Sequence, residues 1–142
     1  MNRKTLSMIA ASALIAVTGV TSAHAQDARV KAHIPFAFTV SGATLPAGDY
    51  DLAPAISPEV WEIRSEQGSP TAFAAVRQGD TNTEDFAKLV FNRYGDSYFL
   101  SEIRCLGETT EVPASKAERA LKREMARNGS KPESVYVLAS AR

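Results

Sequence analysis

The sequence predicts an all-β domain: a small antiparallel β-barrel or β-sandwich of seven to eight strands, with one C-terminal helix before the last strand. Three observations carry that expectation. Residues 29–40 alternate strictly between polar and apolar. Two strand-like runs flank the dipeptide Gly95-Asp96. Residues 115–129 open and close with helix-capping side chains.

In the first run, Val30, Ala32, Ile34, Phe36, Phe38 and Val40 take every second position, between Arg29, Lys31, His33, Pro35, Ala37 and Thr39. Successive strand side chains point to opposite faces, so one face is apolar and the other mainly polar. Burial of Ile34, Phe36, Phe38 and Val40 is worth roughly 1.5–3 kcal/mol each. A slip of one residue exposes all four, so the register is well specified. Pro35 has no N–H for a central ladder and predicts a sheet edge, a bulge, or a place on the side of the strand that needs no donor. Residues 45–49 then read as a turn, because Pro46 presets φ and Gly48 relieves the steric limit. Tyr50 and Leu52 resume the alternation.

Further on, Pro54 and Pro58 mark a loop. Residues 60–65 form a short strand with Trp61 and Ile63 on one face, and residues 71–77 are apolar on both faces, as in a central strand. Residues 86–94 and 97–105 make a hairpin through Gly95-Asp96, with Gly first as a type II′ turn prefers. Residues 107–110 read as a loop and 111–113 as a short edge strand. Ser115 and Glu118 form an S-x-x-E capping box. Ala117, Ala120, Leu121 and Met125 make the predicted apolar helix face, and Glu118 stands four residues before Lys122, the spacing of an ion pair. Asn128-Gly129 supplies the C-cap. Residues 134–139 are apolar on both sides and predict an internal last strand. The helix is expected to cover an exposed edge.

Three stretches, IPFAFTVSGATLPAGDYDL, KLVFNRYGDSYFL and PASKAERAL, resemble a family of small secreted, uncharacterised bacterial proteins, mainly acidobacterial. The similarity spans most of the chain beyond residue 25. It implies an exported β-domain and brings no activity, ligand or catalytic residue.

Residues 1–25 read as a signal peptide. Arg3 and Lys4 give a positive start, residues 6–20 an apolar core, and Ala23-His24-Ala25 an A-x-A site with cleavage after Ala25. The apolar core is shorter than the ~20 residues of a membrane span. No Cys sits at the cleavage site for a lipid anchor. Residues 26–142 are therefore expected to be a single exported β-domain, periplasmic or secreted, without a transmembrane anchor. Charge within it is uneven: residues 26–113 carry seven basic and thirteen acidic side chains, residues 114–142 seven basic and three acidic. Such a balance argues against a nucleic-acid partner. Cys105 is the one thiol, so no internal disulfide is available, and its place at the end of an apolar run predicts burial.

Reactive constellations are sparse. His33 is the one histidine beyond residue 25 and stands on the polar face of a strand. No G-x-S-x-G, phosphate-binding Gly loop or H-E-x-x-H is present. Asp49 and Asp51 share a strand face and read as solvated carboxylates. Residues 79–85 are oxygen-rich but lack EF-hand spacing. No catalytic residue, cofactor or metal site is predicted. Phe91, Tyr94 and Tyr98 cluster near the hairpin, either as pocket aromatics or as cross-strand packing. Lys116, Arg119, Arg123 and Arg127 form a basic ridge, either a solvated face or a contact for an anionic envelope surface or a protein partner. The expected function is an exported non-enzymatic β-module; the alternative is a small carboxylate-based hydrolase or isomerase in a β-barrel. An outer-membrane barrel, which needs lipid-facing apolar bands on all strands, is disfavoured by the strands apolar on both faces and by the short strand at residues 60–65.

Overall fold

The computed structural model describes residues 28–142, so the targeting segment read in residues 1–25 lies outside the described residues. The strands are β1 (Val30–Ile34), β2 (Phe38–Val40), β3 (Ala43–Leu45), β4 (Gly48–Pro54), β5 (Val60–Ser65), β6 (Thr71–Ala75), β7 (Arg77–Gln78), β8 (Ala87–Tyr94), β9 (Ser97–Cys105), β10 (Glu108–Glu111) and β11 (Glu133–Ala141). The helix α1 (Lys116–Arg127) precedes β11. One path, β3-β2-β9-β8-β11-β1-β4-β5-β6, curls into a nearly closed barrel, and β10 pairs with β9 and β7 beside it. At the seam β2 and β6 approach without sharing a ladder. Every ladder is antiparallel except β2–β9, where Thr39 lies parallel to Phe99.

The run predicted as one strand is two. β1 lies between β11 and β4, whereas β2 lies between β9 and β3. The break falls at Pro35, whose missing N–H ends the first ladder. From there the chain crosses one end of the barrel at Phe36. That ring stacks on Tyr98 at 3.9 Å and meets Phe91 edge-on at 5.1 Å. Alternation keeps its phase across the break, so Ile34, Phe38 and Val40 are all buried.

Two further hairpins form, the second of them where residues 107–110 are predicted to loop out. Ser41-Gly42 joins β2 to β3 with φ of 48° and 89°, and Leu106-Gly107 joins β9 to β10 with φ of 49° and 84°. Two left-handed residues in succession are the type I′ geometry that suits strand twist. At the predicted hairpin only Gly95 has positive φ, 62°, as a type II′ turn requires. Along β8–β9 the register slips: Val90 faces Glu102, yet Phe91 faces Leu100. The extra residue, Ser101, returns its hydroxyl to the Val90 carbonyl at 3.0 Å. This bulge keeps Ile103 and Cys105 on the same inner face as Leu100.

Inward side chains fill the barrel. Tyr50, Phe38, Phe91, Ile34, Leu52 and Ile63 are among those sealed from solvent. Cys105 is buried with them, as predicted. Burial first, then the Glu108 charge, pushes its thiol pKa up. Two placements differ from the prediction. β6 ends the strand path, so its outward Phe73 is 57% exposed although both faces are apolar. And α1 covers a sheet face, not an edge: the outward-pointing Tyr94 lies buried against Glu118 of the helix, and Val90 and Phe99 on the same outer side of the sheet are buried as well.

Candidate functional site

Helix α1 starts where Ser115 accepts a hydrogen bond from the Glu118 N–H at 3.2 Å. It ends in a Schellman pair: the Ser130 N–H donates to Met125 O and the Gly129 N–H to Ala126 O, with Gly129 at φ 70°. Only half of the predicted capping box forms, and the predicted Glu118–Lys122 pair does not. The Glu118 side chain turns inward and is 3% exposed. It accepts from Asn92 Nδ2 at 3.0 Å and, more loosely, from the Tyr94 hydroxyl at 3.3 Å. A carboxylate in the first turn also meets the positive end of the helix dipole, which helps it tolerate burial. The Tyr94 phenol is pushed up to about 12, by burial first and then by the neighbouring Glu118.

This inward contact orients the rest of the helix. Glu118, Leu121 and Met125 are turned toward the barrel, while Ala117 and Ala120 of the predicted apolar face are exposed. The opposite face carries Lys116, Arg119, Arg123 and Arg127, with Lys122 beside them; all five are exposed. Arg119 donates to the Ala114 carbonyl at 3.0 Å. Among the described residues, none of the five pairs with a carboxylate.

The barrel behaves differently. Each Lys and Arg side chain from Arg29 to Arg104 has an acidic partner: Arg29 with Asp51, Lys31 with Glu66, Arg64 with Glu62, Arg77 with Glu111, Lys88 with Glu84, Arg93 with Glu133, and Arg104 with Glu102, while Lys131 and Arg142, which flank β11, have none among the described residues. Unpaired charge is thus concentrated on α1. Arg119, Arg123 and Arg127 are four apart and repel, at a cost of about 0.2–0.5 kcal/mol per neighbouring pair. Lys116 and Arg119 also oppose the dipole at the helix start. Within the fold the ridge gains the Arg119 hydrogen bond and the favourable place of Arg127 in the last turn, but no ion pair.

The three aromatics read as pocket candidates do not meet in one pocket. Phe91 is sealed in the core against Phe36 and Phe38. Tyr98 stacks on Phe36 at the barrel end, with the Arg93 guanidinium 5.5 Å from its ring. Tyr94 lies on the opposite face, edge-on to Phe99 at 5.6 Å and bound to Glu118. Period-two alternation already separates position 94 from 91 across the sheet, and that signal outranks nearness in sequence.

His33 Nδ1 lies 2.8 Å from Asp49 Oδ1, and both side chains are more than half exposed. The pair closes a cross-strand contact between β1 and β4. A polar hollow of about 320 Å³ gathers Asp80, Glu84, Glu102 and Glu111 with Arg104. Three of these acids are bound by a cation: Glu84 by Lys88 at 2.7 Å, Glu102 by Arg104 at 2.8 Å and Glu111 by Arg77 at 2.6 Å. No cluster of metal-ligating side chains occurs among the described residues. Two wider hollows are mainly apolar. One of about 750 Å³ lies between Ala117 and Ala120 of α1 and the seam at Gly42 and Ala75. The other, about 680 Å³, opens at the barrel mouth beside Ile56, Trp61 and Val76.

Sequence reading passed over the outward side of β11. Tyr136 and Leu138 alternate with the buried Val137 and stand 56% and 72% exposed. The signal was present: the run SVYVLA is apolar at successive positions, which this single-layer barrel wall cannot bury on both sides. No helix among the described residues is long and apolar enough to cross a membrane. No protein-family model, no curated protein and no solved structure matches the chain.

Proposed function

We propose that this chain is an exported, non-enzymatic β-barrel module that binds an anionic envelope component through the outer face of α1. One observation carries the reading. The seven Lys and Arg side chains from Arg29 to Arg104 are each matched to a carboxylate, whereas the five cations on one twelve-residue helix have none among the described residues. An anionic partner relieves that repulsion. The Asn92–Glu118–Tyr94 contacts hold the helix to the wall, so the ridge is presented on a preorganised support. The filled interior supports a role for the barrel as scaffold. Export rests on the signal-like residues 1–25 and on the resemblance to secreted bacterial proteins.

The test is cosedimentation with vesicles containing phosphatidylglycerol, beside vesicles of phosphatidylcholine alone. Binding to the anionic vesicles alone is expected, weakening several-fold between about 50 and 200 mM salt as exposed charges are screened. Measurable binding that is equal for both compositions, or binding indifferent to salt, contradicts the proposal.

A further inference from the structure

We infer that the anionic component is a lipid, and that its apolar part is received by an exposed patch of Phe86, Tyr136 and Leu138 beside α1. This deepens the function proposed above and rests on it.

Three ladder facts define the patch. Leu138 faces Lys88 and Tyr136 faces Val90 on the outer side of the β8–β11 wall. The Lys88 ammonium stands 4.8 Å from the centre of the Tyr136 ring and 5.7 Å from that of Phe86. Phe86, Tyr136 and Leu138 thus surround one lysine stem and form a continuous surface, with Phe86 49% exposed. Lys88 is neutralised within the fold by Glu84, so the patch adds little charge of its own.

The patch adjoins the helix. Val90, next to Tyr136 across the ladder, is an outward residue that is nevertheless buried, and further along the same side of β8 Asn92 and Tyr94 hold Glu118 of α1. The wall therefore changes within one ladder position from covered to bare. Over the covered part, α1 carries the five unpaired cations on its outer side; on the bare part stand two aromatic rings and a leucine. A soluble polyanion satisfies the first and gains nothing from the second. An amphiphile with an acidic headgroup satisfies both. Tyrosine and lysine at the junction are the side chains that place an apolar body in hydrocarbon and a polar tip in water.

The double variant Tyr136→Ser, Leu138→Ser separates this inference from the broader one. Both side chains are exposed, so the fold is expected to persist, checked by an unchanged circular-dichroism spectrum and thermal transition. Affinity for phosphatidylglycerol vesicles should fall at least about tenfold, because two apolar side chains no longer leave water on binding. Affinity for polyphosphate, a soluble probe without an apolar part, should not change. Unaltered vesicle binding by the double variant overturns the lipid inference and leaves the ridge proposal standing. So does a wild-type protein that binds polyphosphate but not the vesicles. A wild-type protein that binds neither overturns both. As a second readout, a Tyr136→Trp variant should show emission quenched by brominated acyl chains; emission unmoved by those chains counts against insertion of the patch.

Discussion

Phe38→Ala should lower the unfolding free energy by about 3–5 kcal/mol, the usual cost of emptying a large aromatic site in a core. The ring is 1% exposed. It meets Tyr50 edge-on at 5.2 Å and Phe91 edge-on at 5.5 Å, so three strands that are distant in sequence share it. β2 is three residues long, and Val40 is its one other inward anchor. Domains of this size are stable by about 5–15 kcal/mol, so the substitution removes a large part of the total. Urea denaturation followed by Trp61 fluorescence measures the loss, and the midpoint of thermal unfolding should drop on the order of 10–20 °C. Phe73→Ala is the matched control, since that ring points outward from β6; its effect should stay within about 0.5 kcal/mol. A loss below about 1 kcal/mol for Phe38→Ala means that the barrel interior is not packed as described.

Replacing Arg119, Arg123 and Arg127 together by Ala should weaken binding to phosphatidylglycerol vesicles by about 100-fold. A cation at an anionic membrane surface contributes about 1 kcal/mol, and three are removed. Stability should move the other way or stay still. The like-charge pairs disappear, and alanine is the best helix former. Arg119 gives up one hydrogen bond to the Ala114 carbonyl, in an exposed position where water replaces it. Loss of binding with retained stability is the signature of a functional ridge, since structural residues lose both together. Arg64→Ala serves as comparison: its guanidinium is occupied by Glu62 at 2.8 Å on the barrel wall, and vesicle affinity should change less than about threefold.

Much of the fold is written in local pattern. Alternation through residues 29–40 marks the inward set, and the Gly95-Asp96 turn places β8 against β9 with the correct type of bend. The helix ends follow from Ser115 and Asn128-Gly129. What escapes local reading is decided by partners far along the chain. Pro35 is visible, but alternation continues through it in phase, so nothing local reveals that β1 and β2 sit in different parts of the barrel. The hairpin at Leu106-Gly107 uses a leucine at φ 49°, a residue that carries no turn signal. β10 reads Glu-Thr-Thr-Glu and buries only Thr109, so it has no apolar period to find.

The site shows the same division. The basic ridge is visible as charge at four-residue spacing, and its exposure follows once the opposite face is known. That face is misjudged from sequence because hydrophobicity favours Ala117 and Ala120 over a carboxylate. The barrel inverts the choice: Asn92 and Tyr94 offer Glu118 two donors, and the helix rolls to meet them. The absence of counter-ions is likewise a three-dimensional fact. Arg64 and Glu62 are two apart on one strand, but Arg77 meets Glu111 only because β7 pairs with β10.

Amide chemical shifts of the uniformly labelled protein, recorded as phosphatidylglycerol bicelles are added, test the account most directly. The largest changes should fall on α1, at Arg119, Lys122, Arg123 and Arg127, and on the outer positions of β11 around Tyr136 and Leu138. Inward strand residues such as Ile63 and Leu89 should stay still. Changes centred instead on the barrel mouth, at Trp61, Val76 and Thr109, with α1 silent, would place recognition inside the barrel and contradict a scaffold that works through its outer wall.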